Sequence, residues 1–152
     1  MKTLIKSTIF SLLILGVVAI PAMSKTLPAG EWRLESYNFM QKIANPIDEN
    51  EITINIHADG KLGGRSGCNV YGGSYSVENG KLKIGDIIST MMACEEPSMQ
   101  FEQTFFRTLE GATRFDLEDG VLTITDKKTA NFLRFVRVEH RHKCPSVMDK
   151  LN

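Results

Sequence analysis

Apolar and polar residues alternate along most of this chain, as they do in strands with one buried face. Ile52, Ile54 and Ile56 point one way, and Thr53, Asn55 and His57 the other. Leu82 and Ile84 alternate with Lys81 and Lys83, Phe115 and Leu117 with Arg114 and Asp116, and Leu122 and Ile124 with Thr123 and Thr125. This two-residue period suits an antiparallel sheet that packs one face on a core and wets the other. Trp32, Leu34 and Ser36 share a face of a first strand. Over 131–138, Phe132, Leu133, Phe135 and Val136 fall on both faces, which predicts a bulge or two-sided burial. Asp59-Gly60, Asn79-Gly80 and Asp119-Gly120 punctuate these segments. Each pair tolerates the positive φ of a type I′ turn, so three hairpins are predicted.

One segment has another period. Over 97–110, Phe101, Phe105, Phe106 and Leu109 recur at three-to-four spacing. Pro97 suits a first helical turn, and Gly111 suits the position just past the end. Glu95 and Glu96 sit where the positive end of a helix dipole favours acids. The phenylalanines read as core that packs on the sheet. Together the elements predict a mainly β fold with one helix: a small antiparallel β-barrel-like domain of roughly eight strands, capped by one amphipathic helix. The polar stretch 139–152 reads as a loose C-terminal tail.

The first two dozen residues belong to a different physical class. Lys2 and Lys6 precede an apolar run over 9–20, and Ala22 and Ser24 supply the small residues of a cleavage site. This is the pattern of a signal peptide over 1–24, with cleavage after Ser24. The run is about a dozen residues, short of the roughly 20 that a spanning helix needs. It holds no cysteine for lipid attachment, so an exported product, periplasmic or secreted, is expected, without a transmembrane segment in its mature part. The whole chain carries 18 basic and 18 acidic residues. Loss of Lys2 and Lys6 leaves 16 against 18, a net charge of −2. That balance offers no attraction to nucleic acid or to an anionic membrane. The remaining 25–138 has the size of one domain and can bury a core without metals.

Gly67-Cys68-Asn69, followed by Tyr71, Gly73 and Tyr75, precedes a short strand over 81–84 and then Thr90-Met91-Met92-Ala93-Cys94. Met99, Glu102, Phe105 and Leu109 follow. In order and spacing these residues resemble the META domain family, to which the bacterial heat-shock protein HslJ belongs. The resemblance runs from about Trp32 to about Val138. It implies a small β-barrel-like domain with a helix, often exported, whose two motif cysteines, Cys68 and Cys94, pair. It further implies a link with envelope stress, antibiotic tolerance, motility or virulence, and supplies no reaction. HslJ-type members often carry a lipoprotein signal, and this chain departs from them there.

Three cysteines allow three single pairings, and the alternative to a bond is a pair of buried, reduced thiols. Export favours the Cys68–Cys94 bond, worth about 3 kcal/mol in the chain-entropy model. Cys144 lies in the tail and is expected to be free or paired between molecules. Other motifs have bland readings. The glycines over 63–73 lack the Gly-Lys-Ser/Thr ending of a nucleotide loop and read as tight bends, with Arg65 an exposed loop cation. His140, His142 and Cys144 alternate as metal ligands could, yet no fourth ligand is evident, so no metal and no cofactor are expected. Glu95, Glu96, Glu102, Asp116, Glu118 and Asp119 read as solvated surface acids, and His57 as an outward-facing side chain.

No nucleophile, base and stabiliser converge, so no enzyme and no catalytic residue are expected. The leading expectation is a non-enzymatic envelope protein that binds a partner through exposed loops over 63–75 and 43–50. One alternative is a carrier holding a small apolar ligand inside the barrel, lined by Trp32, Leu34, Ile54 and Phe105. Another is a secreted hydrolase inhibitor that presents Arg65 and Asn69.

Overall fold

The computed structural model describes residues 25–46 and 52–139. The expected signal peptide over 1–24, the stretch 47–51 and the His-x-His-x-Cys tail with Cys144 lie outside them. Within the described residues the order is β1 (Gly30–Phe39), β2 (Lys42–Ala44), β3 (Thr53–Ile56), β4 (Lys61–Arg65), β5 (Val70–Glu78), β6 (Lys81–Ser89), α1 (Glu96–Glu110), β7 (Arg114–Glu118), β8 (Val121–Thr125) and β9 (Phe132–Arg137). The fold is mainly β with one helix. Eight strands form one curled antiparallel sheet in the order β6-β5-β4-β3-β1-β9-β8-β7, and β2 pairs β1 from outside that path. The result is a half-barrel. The first strand lies in its middle, between β3 and β9.

Curling brings the two ends of the sheet toward each other. The Leu82 N–H on β6 donates to the Thr113 carbonyl just before β7, at 3.2 Å. The helix connects these two end strands and packs against β6, β8 and β9. Phe105 and Leu109 on its inner face are fully buried. Each such side chain contributes about 1.5–3 kcal/mol by leaving water. Trp32, Leu34, Ile54, Leu122, Ile124, Leu133 and Phe135 complete one core. Side chains of the sheet and the helix therefore fill the concave face.

Two turns have the backbone that their sequences predict. Asn79 and Gly80 have φ of 51° and 72°, and Asp119 and Gly120 have 50° and 79°. The third differs. At Asp59-Gly60 only Gly60 is positive, at 85°, and the His57 N–H reaches the Lys61 carbonyl across a longer loop. The irregularity expected in the last strand belongs to its neighbour. Leu34 pairs Phe135 and Ser36 pairs Arg134, so Glu35 is the extra residue, on β1. Gly111 does follow α1, but with φ of −79°. Positive φ is not what selects glycine there, because a Cβ would lie 2.8 Å from the Asp126 carboxylate.

Candidate functional site

The glycine-rich stretch and the segment before the helix meet at one corner. The expected exposed loop over 63–75 is a correction: β4 and β5 occupy most of it, and only a tight turn around Gly67 separates them. Gly67 has φ of 97°, a conformation that a side chain strains. The other expected loop also begins as strand, β2, before it passes outside the described residues. Within β4 the glycines answer to close backbone approach. A Cβ on Gly64 would lie 2.2 Å from the Thr53 carbonyl oxygen, and one on Gly63 2.8 Å from that of Tyr71. A Cβ on Gly73 would lie 2.9 Å from the Gly85 oxygen.

Asn69 is the hub of the corner. Its Oδ1 accepts from the Thr90 hydroxyl and from the Met92 N–H, both at 2.8 Å. Its Nδ2 donates to Glu102 Oε1 at 2.7 Å, and its backbone N–H to Glu102 Oε2 at 3.1 Å. The Ser66 hydroxyl also donates to Oε2, at 2.5 Å, and the Ser66 N–H donates to the Asn69 carbonyl. Val70 N–H in turn donates to the Thr90 hydroxyl oxygen. Beside this network the sulfurs of Cys68 and Cys94 lie at bonding distance, with Cα atoms 6.1 Å apart. The turn, the segment leading into the helix and the helix itself are thus clasped together. Their hydrogen bonds are charge-assisted at Glu102, the stronger kind.

Tyr71 continues the same architecture inward. Its hydroxyl donates to the Thr53 carbonyl at 3.0 Å, and its ring meets Phe105 and Phe106 edge-on at 5.6 and 5.4 Å. Burial pushes the phenol pKa far above its usual value. Tyr75 donates to the His57 carbonyl at 2.7 Å, and its pKa is also raised, by burial and then by Asp59. The motif residues that face outward are Met91, 97% exposed, with Met92 and Ala93.

Two sequence readings fail here. Asn69 is 5% exposed with both side-chain polar atoms bonded, so it cannot be presented to a hydrolase. Glu102 is no solvated surface acid, because three donors hold its carboxylate. Its position beside Phe101 and three residues before Phe105 placed it at the edge of the buried helix face, the one local hint available. Arg65 ends β4 and is exposed. Glu95 and Glu96 lie at the helix start, and Asp116 pairs with Lys25 at 2.8 Å and Arg114 at 2.6 Å. His57 is exposed. Among the described residues no group of three or more His, Cys, Asp or Glu is placed to hold a metal ion. No described helix is long and apolar enough to cross a membrane.

A family model, the META domain, matches residues 25–139. The chain belongs to the META domain family. The clasp therefore describes how a META domain uses its two cysteine-containing motifs in this chain. Three solved structures are similar to this chain, two of them with TM-scores above 0.5. One, the NMR structure of a protein from Burkholderia xenovorans, has a TM-score of 0.61 and 24% identity, covering 79% of this chain and 97% of its own. A second NMR structure has a TM-score of 0.54 and 25% identity, covering 71% and 88%. A DUF4847 family protein from Bacteroides vulgatus has a TM-score of 0.49 and 14% identity, covering 71% and 92%. No curated protein matches the chain.

Proposed function

We propose that this META domain protein is an exported, non-enzymatic component of the bacterial envelope that acts by binding a partner. Its place is in stress response, antibiotic tolerance or virulence, as expected of HslJ-like relatives. One observation carries the non-enzymatic reading: the polar groups of the motifs are consumed in holding the fold. Asn69, Glu102, Ser66 and Thr90 bond one another, and the cysteine sulfurs bond each other. A disulfide at this corner suits an oxidising compartment. The interior-carrier alternative loses ground, because Trp32, Leu34, Ile54 and Phe105 are at most 2% exposed and pack in one core. Binding is then a task for the outer surface.

The test is expression of the full chain in a bacterium, followed by fractionation and intact mass under non-reducing conditions. The expected product is periplasmic or secreted, has lost residues 1–24 and resists thiol alkylation at Cys68 and Cys94. A folded product that keeps its leader and has both thiols alkylated overturns the compartment. Affinity capture from envelope extract then tests the partner.

A further inference from the structure

The methionines of this chain lie where methionine is least expected. Methionine ranks with leucine, isoleucine and phenylalanine among the residue types most often fully buried. The core here is built from Leu, Ile, Phe, Trp, Tyr and Ala, and it contains no methionine among the described residues. The described methionines are instead all on the surface: Met91 is 97% exposed, Met40 85%, Met92 57% and Met99 42%.

Met40 is held outward against its own backbone preference. Met40 and Gln41 form the tight turn between β1 and β2, where Phe39 pairs Lys42. Their φ angles are 52° and 64°. The turns at 79–80 and 119–120 have the same backbone and use Asn-Gly and Asp-Gly, which tolerate it. A methionine in this conformation is strained. Met91 is a separate case with the same outcome, since the clasp takes the backbone N–H of its neighbour Met92 and leaves the Met91 side chain in solvent. Neither packing nor turn geometry calls for a thioether at 40 or at 91. The sulfurs of Cys68 and Cys94, meanwhile, are bonded to each other. Among the described residues, the oxidisable sulfurs open to solvent are therefore thioethers.

We propose that Met40, Met91, Met92 and Met99 are sites of reversible sulfoxidation, with a hypohalous acid as the oxidant. The inference rests on the reading above that the chain is exported, which puts these sulfurs outside the reducing interior of the cell. With hypochlorous acid the thioether sulfur is oxidised and the chlorine reduced: an S–O bond forms, the O–Cl bond breaks, and chloride and a proton leave. A dithiol reductase of the methionine sulfoxide class reverses the step, its thiols becoming a disulfide as the sulfoxide oxygen departs in water. A sulfoxide is polar where the thioether was apolar, so in a core it disrupts packing. At these positions the core has no methionine to lose. Oxidation thus changes the polarity of the outer surface and leaves the scaffold in place.

The test is stepwise addition of hypochlorite to the folded, purified protein, followed by peptide mapping. Met91 and Met40 should gain oxygen first, at rates within about threefold of short unstructured peptides around the same residues, and Met92 and Met99 should follow. The fully sulfoxidised protein should keep the urea midpoint of the parent, read by Trp32 fluorescence, and a methionine sulfoxide reductase with its thiol donor should return the starting mass without unfolding. Met91→Leu should remove one oxygen from the uptake at an unchanged midpoint. Met40→Asn should unfold at the same or a higher urea concentration, because asparagine tolerates the turn. Oxidation of Met91 or Met40 about tenfold slower than in the peptides, a fall in midpoint on oxidation, a folded sulfoxide that the reductase does not restore, or a lower midpoint for Met40→Asn each overturns the inference. If export and the disulfide hold while the oxidation fails, only the modification falls; a product retained in the cytoplasm removes the reading of export and leaves the chemistry of the purified protein to be judged by the mapping.

Discussion

Replacing Glu102 by alanine tests whether the clasp holds the fold. The change removes the acceptor of the Asn69 N–H, of Asn69 Nδ2 and of the Ser66 hydroxyl. The Ser66 hydroxyl keeps an alternative, the Asn69 carbonyl at 2.9 Å. The two Asn69 donors have none, and Asn69 is 5% exposed. Each buried donor left unpaired costs about 1–3 kcal/mol, and water entering beside a half-buried helix position offsets part of that, so the loss should be about 3 kcal/mol. Glu102→Gln keeps the shape and one acceptor oxygen but loses the charge, and should cost about half as much, roughly 1.5 kcal/mol. The assay is equilibrium unfolding in urea, followed by fluorescence of Trp32, the single and buried tryptophan. A cycle with Asn69→Ala should give a coupling energy of roughly 1 kcal/mol or more, since both residues belong to one network. An alanine variant within about 0.5 kcal/mol of the parent is surface-residue behaviour and would refute the clasp.

Three further outcomes are expected. Substitution of Cys68 and Cys94 by serine, 26 positions apart, should lower stability by about 3 kcal/mol while the domain stays folded on its Asn69 network, measurable as a shift in urea midpoint. Gly64→Ala should cost at least about 2 kcal/mol, because its Cβ would sit 2.2 Å from the Thr53 oxygen, whereas Gly72→Ala should be neutral by the same measurement. Asp116 is held below its ordinary pKa of 3.8 by hydrogen bonds from Lys25 and then Arg114. A depressed folded pKa gives stability that is present above the unfolded value and lost as pH falls through the folded one. The stability gap between the parent and Asp116→Asn should therefore be full at neutral pH and close below about pH 4; a gap constant from neutral pH down to pH 2 would contradict the pairing.

Local chemistry was legible in the sequence, and long-range pairing was not. The alternation at Ile52, Ile54 and Ile56 and at Leu122 and Ile124 marks the inner face wherever the strands end up, and all five are buried. The helix reads from its phenylalanines because a 3.6-residue period needs no partner to be seen. That β1 lies between β3 and β9 depends on contacts a hundred residues apart, which no window carries. The glycines over 63–73 misled, since glycine usually signals a loop. Here Gly64 and Gly63 permit strands to cross closely, and that reason exists only once Thr53 and Tyr71 are placed opposite. Glu102 was hidden likewise: a carboxylate on a helix is solvated until a turn from elsewhere brings Asn69 to it.

The Met91 side chain stands outside the clasp. The clasp uses the Met92 N–H and the Cys94 sulfur, so the spacing between Asn69's two partners and the disulfide is fixed by backbone geometry. It uses nothing of the Met91 side chain, which is 97% exposed. Solvent around a methionine is a cost that the fold does not require, and Ile88 and Val70, 76% and 51% exposed, belong to the same β5–β6 end of the sheet. If the clasp is scaffold and Met91 is not part of it, Met91→Gln should leave the urea midpoint within about 0.5 kcal/mol of the parent. Thr90→Ala, one residue away, removes the hydroxyl between Asn69 and Val70 and should cost about 1 kcal/mol or more. Equal costs at the two positions would mean that the whole segment, not only its hydrogen-bonding backbone and hydroxyl, supports the fold, and would remove the reason to look outward from it.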